Sequence, residues 1–326
     1  MAKIVGKDVG LIGFGLMGFT WRPSPCPTSQ AIAAMKCALS KGANFWNGGD
    51  FYGTKQYNSM HLLQQYFEKY PEDAEKVVIS IKGGLDVSEK GMNIDGSEKG
   101  IRRSVDYCLK MLEGTGKTLD IYECCRVDPK VEIEETVGTL KKYVDEGKLG
   151  GISLSEVDEE HIRRAAKVAK IDAVEVEVSL WDTRVLHNGV ATACKELGIP
   201  IVAYSPLGKG FLTGQFKSHE DLPKDSMLRS FPRFQPENFQ KNFELVRKLE
   251  GIAKKVDCTP AQLAIAWVRQ LSDKPGMPLF IPIPGATTEE RVKENTTEVR
   301  LEAEDMKEID RVLSEVEIVG DRYPKH

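Results

Sequence analysis

The chain has 326 residues, of which 41% are hydrophobic and 29% charged, and its formal net charge is −4. This is the composition expected of a soluble globular protein of the size an α/β barrel takes; it lacks the basic excess of a nucleic-acid binder, and no apolar run nears the roughly 20 residues that span a bilayer, so neither nucleic acid nor membrane is an expected partner. Met1–Lys7 holds no extended apolar stretch, so no secretory signal is expected, and seven cysteines without a Cys-x-x-Cys spacing disfavour a disulfide framework or a metal site and point to reduced thiols in the cytoplasm or nucleus.

Val9–Gly18 is apolar and glycine-rich, and Gly13-Phe-Gly15-Leu-Met-Gly18 formally matches a dinucleotide fingerprint. That motif must open a helix and meet an acid about 20 residues on. Here it runs into Phe19-Thr-Trp-Arg-Pro23-Ser-Pro25, where the prolines and the residues before them resist helix, and position 38 is Ala. The segment is therefore expected to be a strand and its loop. A helix over Ser29–Ser40, with Ile32, Met35 and Leu39 on one face, stops at Gly42, and Phe45-Trp46 begins the next strand. Helical spacing follows over Ser59–Tyr70, then a β-branched strand Lys76–Lys82 bounded by Gly83-Gly84, then a helix Ser97–Leu112 with Ser97 as a partial cap.

The alternation continues with strand Leu119–Cys124, helix Ile133–Glu146, strand Gly150–Leu154 and helix Val157–Lys170, for which Ser155 is a plausible N-cap. Strand Ala173–Val178, helix Val190–Leu197 and strand Ile199–Tyr204 come next. An irregular insert, Gly208–Pro236, precedes helices Phe239–Val256 and Pro260–Leu271, strand Leu279–Ile283, helix Thr288–Thr296, a closing helix Glu302–Val316 and a tail around Val319–Tyr323. Roughly eight strand–helix pairs without a linker predict one domain over residues 1–326, a closed (β/α)8 TIM barrel in the α/β class rather than an open sheet. The insert would sit at one barrel mouth as a lid or cofactor clasp.

Barrel strand ends converge on one face, which here gathers Asn47 to Tyr52, Lys82, Cys124 to Arg126, Ser153, Glu175 and Tyr204. Singly, Tyr52 could be an aromatic plug and Lys82 a solvated strand end. On adjacent strand ends they have a use together. A phenol is a poor acid at neutral pH; an ammonium within about 4–6 Å stabilises phenolate and makes the phenol able to protonate a carbonyl oxygen that receives hydride.

Val9–Gly18, Asn44–Gly53, the strand ending at Lys82, Leu119–Pro129, Gly151–Ser155, Ala203–Gly214 and Ile281–Asn295 resemble the aldo-keto reductase superfamily, in family order along nearly the whole chain. Met17–Pro23, Phe45–Gly53, Gly150–Glu156 and Val319–Tyr323 are similar to its fungal pyridoxal reductases. The resemblance implies an eight-stranded α/β barrel and NADPH-dependent reduction of a small-molecule aldehyde, pyridoxal to pyridoxine in that branch. It implies Tyr52 as proton donor and Lys82 as its partner. Two positions depart from the family pattern: Asn47 stands where an aspartate is usual, and Cys125 where a histidine is usual, before Arg126-Val-Asp-Pro129. Asn47 brings no charge, so Lys82 is expected to lose its proton more easily, and Cys125, a weak donor, leaves room beside the site for a pyridine ring. Asp50 is a lesser candidate for the missing acid.

For the cofactor, the resemblance implies that Tyr204 lies against the nicotinamide and that Ser153 and Glu175, a glutamate in place of the usual glutamine, hold its carboxamide. Ser205, Leu207, Gly208 and Gly210 would form the loop over the pyrophosphate, Gly285 and Thr287 would open the helix carrying Arg291 toward a 2′-phosphate, and Asn295 would meet the adenine. A reductase of another aldehyde or sugar, or a catalytically weak cofactor-binding sensor subunit, remain the alternatives, the second motivated by Asn47 and Cys125.

Overall fold

Strand after strand carries an apolar residue low on its inner face and a polar one two and four residues later, as in Val78-x-Ser80-x-Lys82, Ile121-x-Glu123-x-Cys125 and Ala173-x-Glu175-x-Glu177. Side chains alternate across a strand, so each set lines one face. The computed structural model, which describes residues 2–88 and 91–324, shows what that face encloses.

In chain order, strands β1 (Ala2–Ile4) and β2 (Lys7–Val9) form an antiparallel hairpin. Then come β3 (Phe14–Gly15), the one-turn helix α1 (Met17–Thr20), α2 (Thr28–Ser40), β4 (Phe45–Gly49), α3 (Ser59–Lys69) and β5 (Val78–Gly83). A second hairpin, β6 (Leu85–Ser88) and β7 (Gly91–Ile94), precedes α4 (Glu98–Leu112), β8 (Leu119–Cys124), α5 (Ile133–Asp145), β9 (Leu149–Ser155), α6 (Glu159–Val168), β10 (Ala173–Glu177), α7 (Val190–Leu197) and β11 (Ile201–Tyr204). After the insert follow α8 (Pro236–Lys255), α9 (Pro260–Gln270), β12 (Phe280–Pro282), α10 (Glu289–Thr296) and α11 (Ala303–Glu315).

Eight strands form one parallel sheet in the order β12-β11-β10-β9-β8-β5-β4-β3. The ends meet: the Gly13 amide donates to Pro282 O at 2.9 Å and the Gly15 amide to Pro284 O at 3.2 Å, with a parallel bridge between Gly15 and Gly285. This seam explains the glycines of the false fingerprint. A Cβ on Gly13 would lie 2.8 Å from Phe45 O, and one on Gly15 3.0 Å from Ile283 O. They let backbones close a barrel, and α1 is too short to present a helix end to a pyrophosphate.

The hairpin β1–β2 plugs one end. Ala2, Ile4 and Val9 pack on the lowest inner layer, Phe45, Val78, Ile121, Ala173, Val202 and Ile281. Neither hairpin was legible in the sequence, because three- or four-residue strands carry too little alternation. Ser155 ends β9 rather than capping a helix; Asp158 caps α6, its carboxylate accepting from the His161 amide at 2.9 Å. Among the described residues no helix is long and apolar enough to cross a membrane, and all seven cysteines are free thiols.

The insert is a chain of 3-10 turns (Gly208–Thr213, His219–Asp221, Met227–Ser230 and Pro232–Phe234). It is pinned by aromatic packing. Phe211 is fully buried, stacks on Trp181 with centroids 4.0 Å apart, and meets Phe234, Phe239 and Phe243 edge-on. Phe211→Ala should cost about 3–5 kcal/mol in urea unfolding, because truncating a buried ring leaves a cavity. A loss below about 1 kcal/mol would mean that the insert is held elsewhere.

Candidate active site

Above the apolar layer the inner face turns polar, and pairing register puts Lys82 beside Glu123 and Glu123 beside Ser153. Lys82 is 4% exposed, Glu123 0% and Glu175 2%. The Lys82 ammonium lies 3.2 Å from Glu123 Oε1 and forms a closer ion pair with Glu175. It also donates to Asn47 Oδ1 at 3.3 Å. The Asn47 amide in turn donates to Glu175 Oε2 at 2.6 Å and to Glu123 Oε1 at 3.3 Å, and Ser153 Oγ donates to Glu123 Oε2 at 3.1 Å.

This corrects the expectation that Asn47 leaves Lys82 short of charge. Burial alone would lower the pKa of Lys82, but Glu123 and Glu175 outweigh it and raise it above the ordinary lysine value. Glu123 was absent from the sequence reading, which took strand ends and not strand faces. It stands two residues before Cys125, and the period of two was the available signal.

Tyr52 folds back over the end of β4. A Cβ on Gly49 would lie 2.9 Å from the Tyr52 ring, so glycine there lets the ring approach. The ring, 8% exposed, stacks on Trp21 at 5.2 Å and meets Phe51 edge-on at 4.8 Å. Burial pushes the phenol pKa up, and the Lys82 charge opposes that. Cys125 is also buried, its thiol pushed up to about 12 by burial against the pull of Arg126 and Lys82, so it is a neutral thiol near pH 7.

Asp50 is not among the Lys82 partners. Its carboxylate accepts from Ser104 Oγ, which itself accepts from Tyr122 Oη at 2.7 Å. Burial raises its pKa from 3.8 to about 6, against the Ser104 bond and the Arg103 charge. A carboxyl whose folded pKa exceeds its unfolded value binds more protons when folded, so its ionisation penalises the fold as pH rises through the window between those values. Asp50→Asn should remove that penalty, about 3 kcal/mol, and flatten the corresponding part of a melting-temperature profile. An unchanged slope would contradict the assignment.

A second charged tier rims the mouth. Tyr204 Oη donates to Glu156 Oε1 at 2.9 Å and lies 3.0 Å from Tyr323 Oη. Arg322 pairs with Glu156 and, at 3.3 Å, with Glu177, which also holds Lys209 at 2.6 Å. The tail is therefore part of the site's wall, tied down by Asn242, which exchanges hydrogen bonds of 2.8 and 2.9 Å with Val319. The resemblance covered Glu156, Lys209, Arg322 and Tyr323 without giving them a role, and Glu177 not at all; only the fold joins the chain's end to a strand 166 residues earlier.

The fit to a dinucleotide can be tested on these residues. Ser205, Gly208, Lys209 and Gly210 all have positive φ, at 50°, 56°, 58° and 91°, a backbone that coils tightly after β11. Ser155 Oγ, two residues beyond Ser153, is buried without a partner, a polar atom awaiting one. Across the seam, Gly285 and Thr287 lead into α10, where Asn295 is buried and reaches Gly285 O at 3.5 Å. Arg291 is exposed and bonds Glu294 through one nitrogen at 2.7 Å, which leaves a fork of further donors for an anion. Leu207 stands at the N-cap position of the first turn of the insert, without a side-chain hydrogen bond to it. The residues fit a nicotinamide end in the barrel and a phosphate-bearing end at α10. Among the described residues no cluster of three or more His, Cys, Asp or Glu could hold a metal ion.

The profile of the Aldo/keto reductase family matches residues 11–314. "Probable pyridoxal reductase 2" of Schizosaccharomyces pombe is 40% identical, over 100% of this chain and 98% of the relative. "Probable aldo-keto reductase 1" of Glycine max is 40% identical, over 98% and 89%. A glycerol dehydrogenase structure from Gluconobacter oxydans superposes with a TM-score of 0.82 at 22% identity, covering 96% of this chain and 95% of that one, a likeness of fold.

Proposed function

The chain belongs to the aldo/keto reductase family of oxidoreductases, and from that premise we propose that it reduces an aldehyde with NADPH, and that the aldehyde is pyridoxal, converted to pyridoxine. The observation that carries the reading is a buried phenol, Tyr52, whose acidity burial weakens and the buried Lys82 ammonium on the next strand partly restores. NADPH, when bound, supplies hydride to the aldehyde carbon. Tyr52 gives its proton to the aldehyde oxygen as charge develops there, and Lys82 stabilises the phenolate left behind.

Ser153 and Glu175 meet the carboxamide in this reading, the Tyr204 ring backs the nicotinamide, and the loop Ser205, Leu207, Gly208 and Gly210 spans the pyrophosphate. Gly285, Thr287 and Arg291 take the 2′-phosphate, and Asn295 takes the adenine. Pyridoxal is favoured over a smaller aldehyde on two grounds. The full-length relative from Schizosaccharomyces pombe bears that name. Cys125, smaller than a histidine and neutral, leaves space at the carbonyl for a pyridine ring whose own phenolic oxygen lies next to the aldehyde and can assist its polarisation.

The test is loss of NADPH absorbance with purified protein, comparing pyridoxal with benzaldehyde. Faster turnover on pyridoxal supports both reaction and substrate. Equal rates would leave a general aldehyde reductase, and tight NADPH binding without turnover would leave a cofactor-binding sensor.

A further inference from the structure

Two carboxyl groups converge on one ammonium inside the barrel. Lys82 Nζ contacts Glu123 and Glu175, and the single amide nitrogen of Asn47 donates to both, so the two carboxyls face each other across the same pair of donors. Ser153 donates to the far oxygen of Glu123, and Ser80 Oγ lies 3.5 Å from its near one. All of these groups are buried.

The charge count does not close with both carboxyls ionised. One cation would face two anions in a medium that stabilises neither, and a buried charge without a partner neutralises by taking a proton. The charged and titratable groups around the pair do not supply a second cation. Lys82 comes from β5, Tyr52 from the loop after β4, and Cys125 and Arg126 from the loop after β8; Arg126 acts on Tyr52 and Cys125 and on Glu156 in the outer tier. Glu177, one layer out on β10, is matched by Lys209 and Arg322.

We propose that Glu123 and Glu175 hold one proton between them and act as a single-charge counter-ion to Lys82, a positioning pair in place of the aspartate usual at position 47. The proposal rests on the reading of this site as a reductase. In support, burial and then the neighbouring Glu123 charge raise Glu175 well above the ordinary carboxylate range, against the pull of Lys82.

The consequence falls on Tyr52. With one proton shared, the trio is neutral overall and Lys82 stabilises phenolate. When the pair loses that proton as pH rises, a second negative charge faces Tyr52, the phenol becomes a weaker acid, and aldehyde reduction slows. Reduction should therefore carry an alkaline limb set by the pair.

Infrared spectroscopy of the full chain tests this without turnover. Glutamate labelled with carbon-13, in an Asp50→Asn background, isolates the carbonyl stretch of a protonated glutamic acid. One such band should persist in the parent above neutral pH and vanish in Glu175→Gln and in Glu123→Gln, because the surviving carboxylate then serves as the only counter-ion. Each single variant should lose about tenfold or less in kcat and lose the alkaline limb, while the double variant, with no counter-charge for Lys82, should lose about a thousandfold. No glutamic acid band in the parent, or a single variant as impaired as the double, would overturn the proposal. If the double variant does not fold, the band and pH profile of Glu175→Gln decide alone. A chain that shows the band and reduces no aldehyde would defeat the reductase reading and leave the shared proton standing.

Discussion

Tyr52→Phe should lower kcat for pyridoxal reduction by about 10²–10⁴-fold and leave NADPH affinity within about threefold. The substitution keeps the ring that stacks on Trp21 and meets Phe51, so the packing at the mouth survives and only the O–H is lost. Neither of the two neighbouring candidates can take over as acid. The Cys125 thiol is a weak donor held neutral by burial, and Asp50 faces Ser104. The proton reaches the substrate oxygen only as charge develops on it, so the loss should appear in kcat rather than in substrate binding. Steady-state kinetics with pyridoxal, beside a fluorescence titration with NADPH, separates the two. Turnover equal to the parent's would exclude Tyr52 as the acid.

Much of this architecture was legible because barrel strands are short, β-branched and buried, so Leu119–Cys124 and the strand ending at Lys82 stand out between helices of 3.6 period. Tyr52, Lys82, Asn47, Cys125, Ser153 and Glu175 were found by reading strand ends, and five of the six fall in the buried layers around Lys82, with Tyr52 folded over them. That procedure also produced its chief error. It weighed the charge lost at position 47 and missed Glu123, which lies one residue before the end of β8, beside Lys82, and restores that charge from the adjacent strand. The outer tier was out of reach for another reason. Arg322 meets Glu156 through a tail with no periodicity, and a contact spanning so many residues has no local sequence signal. Gly13 and Gly15 illustrate the converse case, a motif whose glycines serve a backbone seam.

Lys82→Met should reduce aldehyde turnover by about 10³-fold, and it should also change how stability depends on pH. In the parent, the folded pKa of Lys82 lies above its unfolded value, so its contribution to stability is fully present at and below neutral pH and fades only as pH rises through that raised value. Methionine fills similar space but removes the one cation that both carboxyls share. Glu175 and its partner carboxyl must then stay protonated or remain as buried, uncompensated charges. If they stay protonated, the folded variant binds one proton more than the folded parent, whose pair already keeps one, so above the ordinary carboxylate range its stability falls more steeply with rising pH. The melting-temperature gap between variant and parent should therefore be small near about pH 5 and widen toward about pH 8. Lys82→Arg separates charge from geometry: it keeps the cation but offers a planar fork in a slot built for a compact ammonium, so it should recover the parent's stability profile more fully than the activity. A Lys82→Met protein whose melting temperature tracked the parent's across this range would mean that the two carboxyls do not depend on Lys82, and the charge arrangement at the barrel's centre would have to be redrawn.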